Sequence, residues 1–168
     1  MKTFKIKKGK HSSGFHFGFT FKDVIKFRAT FDESCLYDIK DNDKYDVNKL
    51  FGFSTSWNHM KQSARIGWRC LNGSDIEVLS YSHNNGKIDF EGIKVLGTVK
   101  PDQPFSCTIN DNKVWFVYTF RIDGDSEMVF TKNDKKNSWF PFKYFLFPYF
   151  GGNRVAPHDM AITIELFK

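Results

Sequence analysis

The chain has 168 residues, of which 25 are Lys or Arg, 19 are Asp or Glu and 18% are aromatic, with a net charge of +6. A chain this rich in aromatic residues has too much apolar surface to remain disordered, and its length predicts a single domain over residues 1–168. No segment reaches the ~18 apolar residues of a membrane-spanning helix, and the basic N-terminus lacks the apolar core of a signal peptide. The sequence therefore predicts no membrane partner and a cytoplasmic or virion-associated location.

Apolar residues recur at every second position along much of the chain. The clearest runs are residues 15–21, 25–31, 114–120 and 162–166. Successive side chains of a strand point to opposite faces, so this alternation predicts half-buried strands. We expect the apolar faces to form the core, with these residues inside: Phe17, Phe19, Phe27, Phe31, Trp68, Phe116 and Ile164.

Turn signals separate further strand-like runs at residues 84–86, 110–112 and 123–125. Asn or Asp lies beside Gly in the first and the last of these signals, and the middle one is Asn-Asp-Asn. Such residues supply the backbone conformations that tight hairpins need. The best helix signal is a single turn over residues 46–50, with Asp46 as its cap. About a dozen short strands predict an all-β fold, an antiparallel two-sheet β-sandwich (jelly roll) with more than half of its residues in strands.

Metal ligands are sparse in the sequence. The three cysteines are far apart and lack C-x-x-C spacing, which predicts buried thiols rather than a zinc site, and His11, His16 and His83 are isolated. Oxygen ligands are dense in one segment, which contains Asp38, Asp41, Asp43, Asp46 and Asn48. That density is compatible with an irregular Ca²⁺ loop, but the EF-hand register is absent, and a solvated acidic loop is the favoured interpretation. We predict no cofactor.

A candidate binding site begins in the loop that contains Trp57 and His59 and leads into a strand carrying Arg65. If Trp68 on that strand lies in the core, alternation places Arg65 on the opposite, open face. A guanidinium beside an aromatic ring suits sugars or carboxylates, through bidentate hydrogen bonds and stacking. The alternative is that Trp57 covers the core edge and Arg65 pairs with an acidic neighbour.

The C-terminal segment carries a resemblance to a known superfamily. A strand ends at Pro148, a Gly-Gly turn follows, and a last alternating strand returns. The pattern YFGG…APHDM, with the segments VIKFRATFD and NDNKVWFVYTF, resembles the closing and core strands of the concanavalin A-like lectin and glucanase jelly rolls. This resemblance concerns the fold, and it implies that Tyr149 approaches the loop and strand of residues 57–65.

The resemblance also bears on catalysis. Glycoside hydrolases of this superfamily carry paired acids as E-x-D-x-x-E, and the chain lacks that pattern. We therefore predict a non-catalytic module that binds carbohydrate or a partner protein through Trp57, His59, Arg65 and Tyr149. One alternative is a structural or adhesion protein of a phage virion. Another is a polysaccharide lyase, in which His59, Tyr81 or Tyr149 is the base and Arg65 neutralises the substrate.

The charge balance narrows the class of partner. A net charge of +6 favours an anionic partner. No helix-turn-helix pattern or RNA-binding strand motif is present, so the sequence does not favour nucleic acid. A glycan or a protein remains the predicted partner, and a homo-oligomer is compatible with the sequence.

Overall fold

The computed structural model describes residues 1–135 and 140–167, and it confirms an all-β fold with two antiparallel sheets. Two short 3₁₀ helices cover Glu33–Cys35 and Asn42–Tyr45. The thirteen strands of the described residues are β1 (Lys2–Ile6), β2 (Phe19–Thr20), β3 (Val24–Phe31), β4 (Asn48–Ser54), β5 (Ser63–Cys70), β6 (Ile76–Asn84), β7 (Lys87–Ile88), β8 (Val95–Val99), β9 (Phe105–Asp111), β10 (Trp115–Ile122), β11 (Val129–Asp134), β12 (Lys143–Leu146) and β13 (Met160–Leu166).

The strand order interleaves distant parts of the chain. Sheet A has the order β1-β13-β3-β9-β10-β11, so the first and last strands are neighbours. Sheet B has the order β2-β12-β4-β5-β6-β7, and β8 also pairs with β6. The two sheets pack face to face around one large apolar core, which is the arrangement of a jelly roll.

Most of the predicted core is confirmed. Phe27, Phe31, Trp68 and Phe116 are fully buried, and Ile164 is 4% exposed. The alternation within β3, β5, β10 and β13 therefore identifies the face that points toward the other sheet, as expected for half-buried strands.

The prediction was wrong for two residues of the N-terminal run: Phe17 is 73% exposed and Phe19 is 51% exposed. In the pairing of β2 with β12, Phe19 lies opposite Tyr144, so it shares the face that points away from sheet A. The even-numbered positions turn inward instead, and a Cβ added at Gly18 would lie 2.7 Å from Phe145 Cδ2. A register difference of one residue reverses the two faces of a strand, which explains the error.

The turns predicted at residues 84–86 and 123–125 are confirmed, whereas the turn predicted at 110–112 lies at 112–114, because Asn110 and Asp111 still belong to β9. The predicted helical turn is wrong. Asn85 and Gly86 have φ values of 52° and 84°, which a tight hairpin between β6 and β7 requires. The helical turn lies earlier in the chain, over Asn42–Tyr45, where the Asp41 side chain accepts from the Asp43 N–H. Residues from 48 onward belong to β4 because their backbone groups pair with β5.

Strands cover slightly less than half of the described residues, which is fewer than predicted, because the segments before β2 and between β12 and β13 are largely irregular. The cysteines are buried and free, as expected, and burial raises the pKa of Cys35 to about 12. Within the described ranges no helix is long and apolar enough to cross a membrane.

An ion-pair network lies between the two sheets at one end of the sandwich. Lys135 Nζ pairs with the Asp111 carboxylate, and only 4% and 6% of these side chains are exposed. Lys143 of β12 lies 3.4 Å from Asp111 Oδ2 and 2.8 Å from Asp23 Oδ1. The network therefore connects the β9–β10 hairpin of sheet A to sheet B.

Candidate functional site

The candidate site lies on the face of sheet B that points away from sheet A, here called the outer face. Ile66 and Trp68 of β5 enter the core, so Arg65 projects to the outer face. In the strand register Arg65 lies opposite Gly52 of β4 and Tyr81 of β6. Directly opposed residues project to the same side, so Arg65 and Tyr81 are side by side.

Arg65 is on the predicted face, but it is only 6% exposed. Its Nε is buried without a hydrogen-bond partner, and among the described residues its guanidinium forms no ion pair with a carboxylate. Burial lowers the pKa of Arg65 to about 10, and the nearby hydroxyls of Tyr81, Tyr144 and Tyr149 oppose that shift. The predicted alternative, an ion pair between Arg65 and an acidic neighbour, is therefore not found within residues 1–135 and 140–167.

Lys49 lies next to Arg65, although no sequence pattern selected it as a site residue. Its ammonium lies 5.0 Å from the ring centre of Tyr81 and 5.9 Å from that of Tyr149, and it donates to the Gly151 carbonyl at 3.0 Å. Burial, followed by the charge of Arg65, lowers the pKa of Lys49 to about 8. Two cationic side chains are thus close together on the outer face.

Tyr149 reaches this position through its backbone. Its N–H donates to the Lys49 carbonyl at 2.9 Å, and its carbonyl accepts from the Lys49 N–H at 2.8 Å. The ring stacks on His11 with centres 5.1 Å apart. This pairing brings Tyr149 onto the same face as Arg65, as the superfamily resemblance implied.

Two histidines complete the group. His83 on β6 is 3% exposed, packs edge-on against Tyr81 and lies with Nδ1 3.4 Å from Ser63 Oγ. Burial, then the charge of Arg65, lowers the pKa of His83 to about 4, so its imidazole is neutral at pH 7. His59 lies near enough to Arg65 for burial and that charge to lower its pKa as well. We call Lys49, His59, Arg65 and His83 the basic cluster.

His83 was considered in the sequence only as an isolated candidate metal ligand, whereas the fold places it beside Arg65 and Tyr81. Residues 79, 81 and 83 alternate on one face of β6, and the antiparallel pairing of β5 with β6 places that face beside Arg65. The alternation was readable in the sequence, but the identity of the neighbouring strand was not. The position of Lys49 on the outer face was harder to predict, because a register irregularity between residues 49 and 51 interrupts the alternation of β4.

Among the described residues, the Trp57 ring makes its ring contacts with phenylalanines and not with the tyrosines beside the basic cluster. It is 74% exposed and packs edge-on against Phe140, with ring centres 4.8 Å apart. Its carbonyl accepts from the Tyr144 hydroxyl at 3.1 Å, which ties the loop to β12. Trp57 belongs instead to a set of neighbouring rings, here called the aromatic row: Phe17, Phe19, Phe21, Trp57, Phe140 and Phe142.

The acidic segment engages protein groups. Arg154 pairs with both Asp41 and Asp43, and its Nε lies 2.5 Å from Asp43 Oδ2. Asn48 is buried and donates to the Tyr37 hydroxyl at 2.8 Å. No group of three or more acidic, His or Cys side chains is arranged for a metal ion within residues 1–135 and 140–167.

The lowered pKa of His83 predicts a loss of stability in acid. Between pH 6.5 and pH 4 the unfolded chain binds a proton that the folded chain does not, so the free energy of unfolding falls as the pH drops through this interval. The shift corresponds to up to about 3 kcal/mol. Urea unfolding at a series of pH values should show that the free energy of unfolding changes less with pH in His83→Gln than in the wild type. The same pH dependence of the free energy of unfolding in wild type and His83→Gln would contradict a lowered pKa for His83.

Comparison with known proteins supports the fold. No protein-family model and no curated protein sequence matches the chain. The structure is similar to the alginate lyase from Klebsiella pneumoniae (TM-score 0.59, 10% identity, 86% of this chain and 58% of that one). It is also similar to the xylan beta-1,4-xylosidase from Bacillus halodurans (TM-score 0.54, 5% identity, 97% of this chain and 32% of that one). A third similar structure is an exolytic alginate lyase from Zobellia galactanivorans (TM-score 0.53, 8% identity, 98% of this chain and 83% of that one).

These similarities agree with the sequence resemblance. The chain has a jelly-roll fold, a β-sandwich of two antiparallel sheets, like these structures. It spans 58% of the Klebsiella enzyme and 32% of the xylosidase, so it corresponds to only part of each. At such low identity the likeness establishes the fold and leaves the function to be argued from the site.

Proposed function

We propose that the outer face of sheet B binds an acidic saccharide, with Arg65 as the partner of a carboxylate. The observation that carries this proposal is a cation that is 6% exposed and has a buried Nε without a hydrogen-bond partner. A buried charge without a counterion is costly, and a ligand carboxylate would supply the missing partner. Lys49 adds a second cation to the same face.

The aromatic groups around the cations suit a sugar. Tyr81 and Tyr149 lie beside Lys49. Tyr149 is only partly buried, so the part of its ring that His11 does not cover is available to the apolar C–H face of a pyranose. Two of the similar structures are named as alginate lyases, and alginate is an acidic polysaccharide. The negative charge of alginate is therefore complementary to the positive charge of Lys49 and Arg65.

Substitution of Arg65 tests the proposal. We expect Arg65→Gln to weaken binding of alginate oligomers about tenfold to a hundredfold, because hydrogen bonds to charged groups contribute about 1.5–3 kcal/mol. Titration calorimetry would measure the affinity, and thermal unfolding would verify that the variant folds. Arg121→Gln is the matched control, since Arg121 is exposed on β10 of sheet A and its loss changes the net charge equally. Equal affinities for Arg65→Gln and wild type would reject the proposal.

Polysaccharide lyase activity is a second candidate, and the neutral imidazole of His83 beside Arg65 and Tyr81 favours it. In such a reaction a base takes the C5 proton of a uronate, the C4–O bond breaks, its electrons leave with the oxygen, and a C4=C5 double bond forms. The leaving oxygen takes a proton from an acid such as a tyrosine. Arg65 would neutralise the carboxylate and so stabilise the charge that develops at C5.

The two candidates give different results with one substrate. A lyase produces an unsaturated uronate whose ultraviolet absorbance rises with time, and His83→Asn should abolish that rise while alginate still binds. Binding of alginate without any change in absorbance would exclude the lyase and support the non-catalytic binding function. If alginate neither binds nor reacts, both candidates fail, and a structural role becomes the interpretation to pursue.

A further inference from the structure

A cavity of about 460 Å³ adjoins the basic cluster where the outer face meets the β6–β7 edge. Cavities of this size are typical of small-ligand sites, which combine apolar walls with a few polar groups. We call it the aliphatic cavity. Its apolar lining includes Leu79, Ile88, Ile93 and Val95, and its charged lining residues are Asp46, Lys49 and Arg69.

The lining of the aliphatic cavity is of two chemical kinds. Leu79 is fully buried in a small apolar cluster that is separate from the main core, and Ile88 and Ile93 pack against this cluster. The lining also includes Lys49, which is 9% exposed. Its ammonium has three donors, and within the described residues one of them is used, by the Gly151 carbonyl. The cavity therefore combines an apolar wall with a buried hydrogen-bond donor.

An unsubstituted uronate does not match this wall. Its hydroxyls would face aliphatic side chains that cannot accept or donate hydrogen bonds, which costs free energy. An acyl ester has the matching pair of groups, since its alkyl part is apolar and its carbonyl oxygen accepts a hydrogen bond. The cavity is larger than an acetyl group requires, so there is room for the sugar unit that bears the acyl group.

We propose that the aliphatic cavity binds an acyl-substituted unit of the acidic saccharide. The alkyl part of the acyl group contacts Leu79, Ile88 and Ile93, and Lys49 donates to its carbonyl oxygen. The inference rests on the proposed function, because Lys49 and Tyr81 belong to both the cavity and the surroundings of Arg65. The inference specifies the ligand further, as an acidic saccharide that carries an acyl ester.

The test compares O-acetylated alginate with the same polymer after alkaline removal of its acetyl groups, by affinity electrophoresis. We expect the wild type to bind the acetylated polymer about fourfold more tightly, the ratio given by one buried methyl group at about 0.8 kcal/mol. Val95 lines the cavity and is 46% exposed, so Val95→Phe can fill the cavity without crowding the core. This variant should lose the preference and bind the deacetylated polymer as the wild type does. Val129→Phe is the matched control, because Val129 is 37% exposed on sheet A.

Each outcome decides between the two proposals. Equal wild-type binding of both polymers overturns the acyl-binding inference and leaves the proposed function standing. A preference that survives in Val95→Phe places the acyl group elsewhere and also overturns the inference. If the wild type binds neither polymer, the proposed function fails, and the inference fails with it. The wild-type comparison needs no variant, so a folding defect in Val95→Phe does not prevent a decision.

Discussion

Phe31→Ala is expected to lower the free energy of unfolding by about 3–5 kcal/mol, the usual cost of truncating a fully buried Phe. Phe31 is fully buried in the core, with its ring 5.1 Å from that of Trp68 and 5.4 Å from that of Phe105. The substitution removes contacts on both sides and leaves a cavity. Urea unfolding, monitored by tryptophan fluorescence, measures the difference in the free energy of unfolding between wild type and variant.

Phe17→Ala is the matched control for this prediction. The two residues have the same side chain and both lie in alternating runs, but Phe17 is 73% exposed. We expect a change within about 0.5 kcal/mol, the usual range for an exposed position. A large loss of stability in Phe17→Ala would mean that the N-terminal run faces the core and that the observed register of β2 is wrong.

Asp111→Asn is expected to cost about 3–5 kcal/mol, because it leaves the buried ammonium of Lys135 without a carboxylate. Asparagine has nearly the same shape as aspartate, so the change removes the charge and little else. Lys143 keeps its contact with Asp23, and the effect therefore concerns Lys135. Denaturant unfolding of the variant measures the cost.

Two further variants show whether charge is the cause. Lys135→Met in the Asp111→Asn background should recover much of the stability, since it removes the uncompensated charge. Asp38→Asn removes a carboxylate from the exposed pair with Lys40 and should leave the unfolding curve unchanged. Equal effects of Asp111→Asn and Asp38→Asn would contradict a specific role for the buried network.

The alternation of apolar residues predicted the core strands well because those strands have a second sheet to pack against. Phe27 and Phe31 lie on β3, in the middle of sheet A, where burial fixes which face points inward. Phe17 and Phe19 belong to a run that pairs at the edge of sheet B, and nothing in the alternation says which of its two faces turns outward. The same pattern therefore gave correct and incorrect predictions.

The site was predictable only in part, for a related reason. Arg65 follows from its position between inward residues of β5, and Tyr149 follows from the jelly-roll topology. The role of His83 depends on which strand pairs with β5, and that of Lys49 depends on a local irregularity of β4. Trp57 was placed near Arg65 because they are close in sequence, but its ring packs in the aromatic row.

The central claim is that the Arg65 guanidinium binds a ligand carboxylate, and its Nε–H resonance reports this most directly. The resonance is assigned in ¹⁵N-labelled protein by its absence from Arg65→Gln. The labelled protein is then titrated with an alginate oligomer and with the same oligomer after its carboxyl groups are reduced to alcohols. We predict that the acidic oligomer shifts the Arg65 Nε–H signal and that the reduced oligomer does not. An acidic oligomer that binds the protein while this signal stays unmoved would contradict the account.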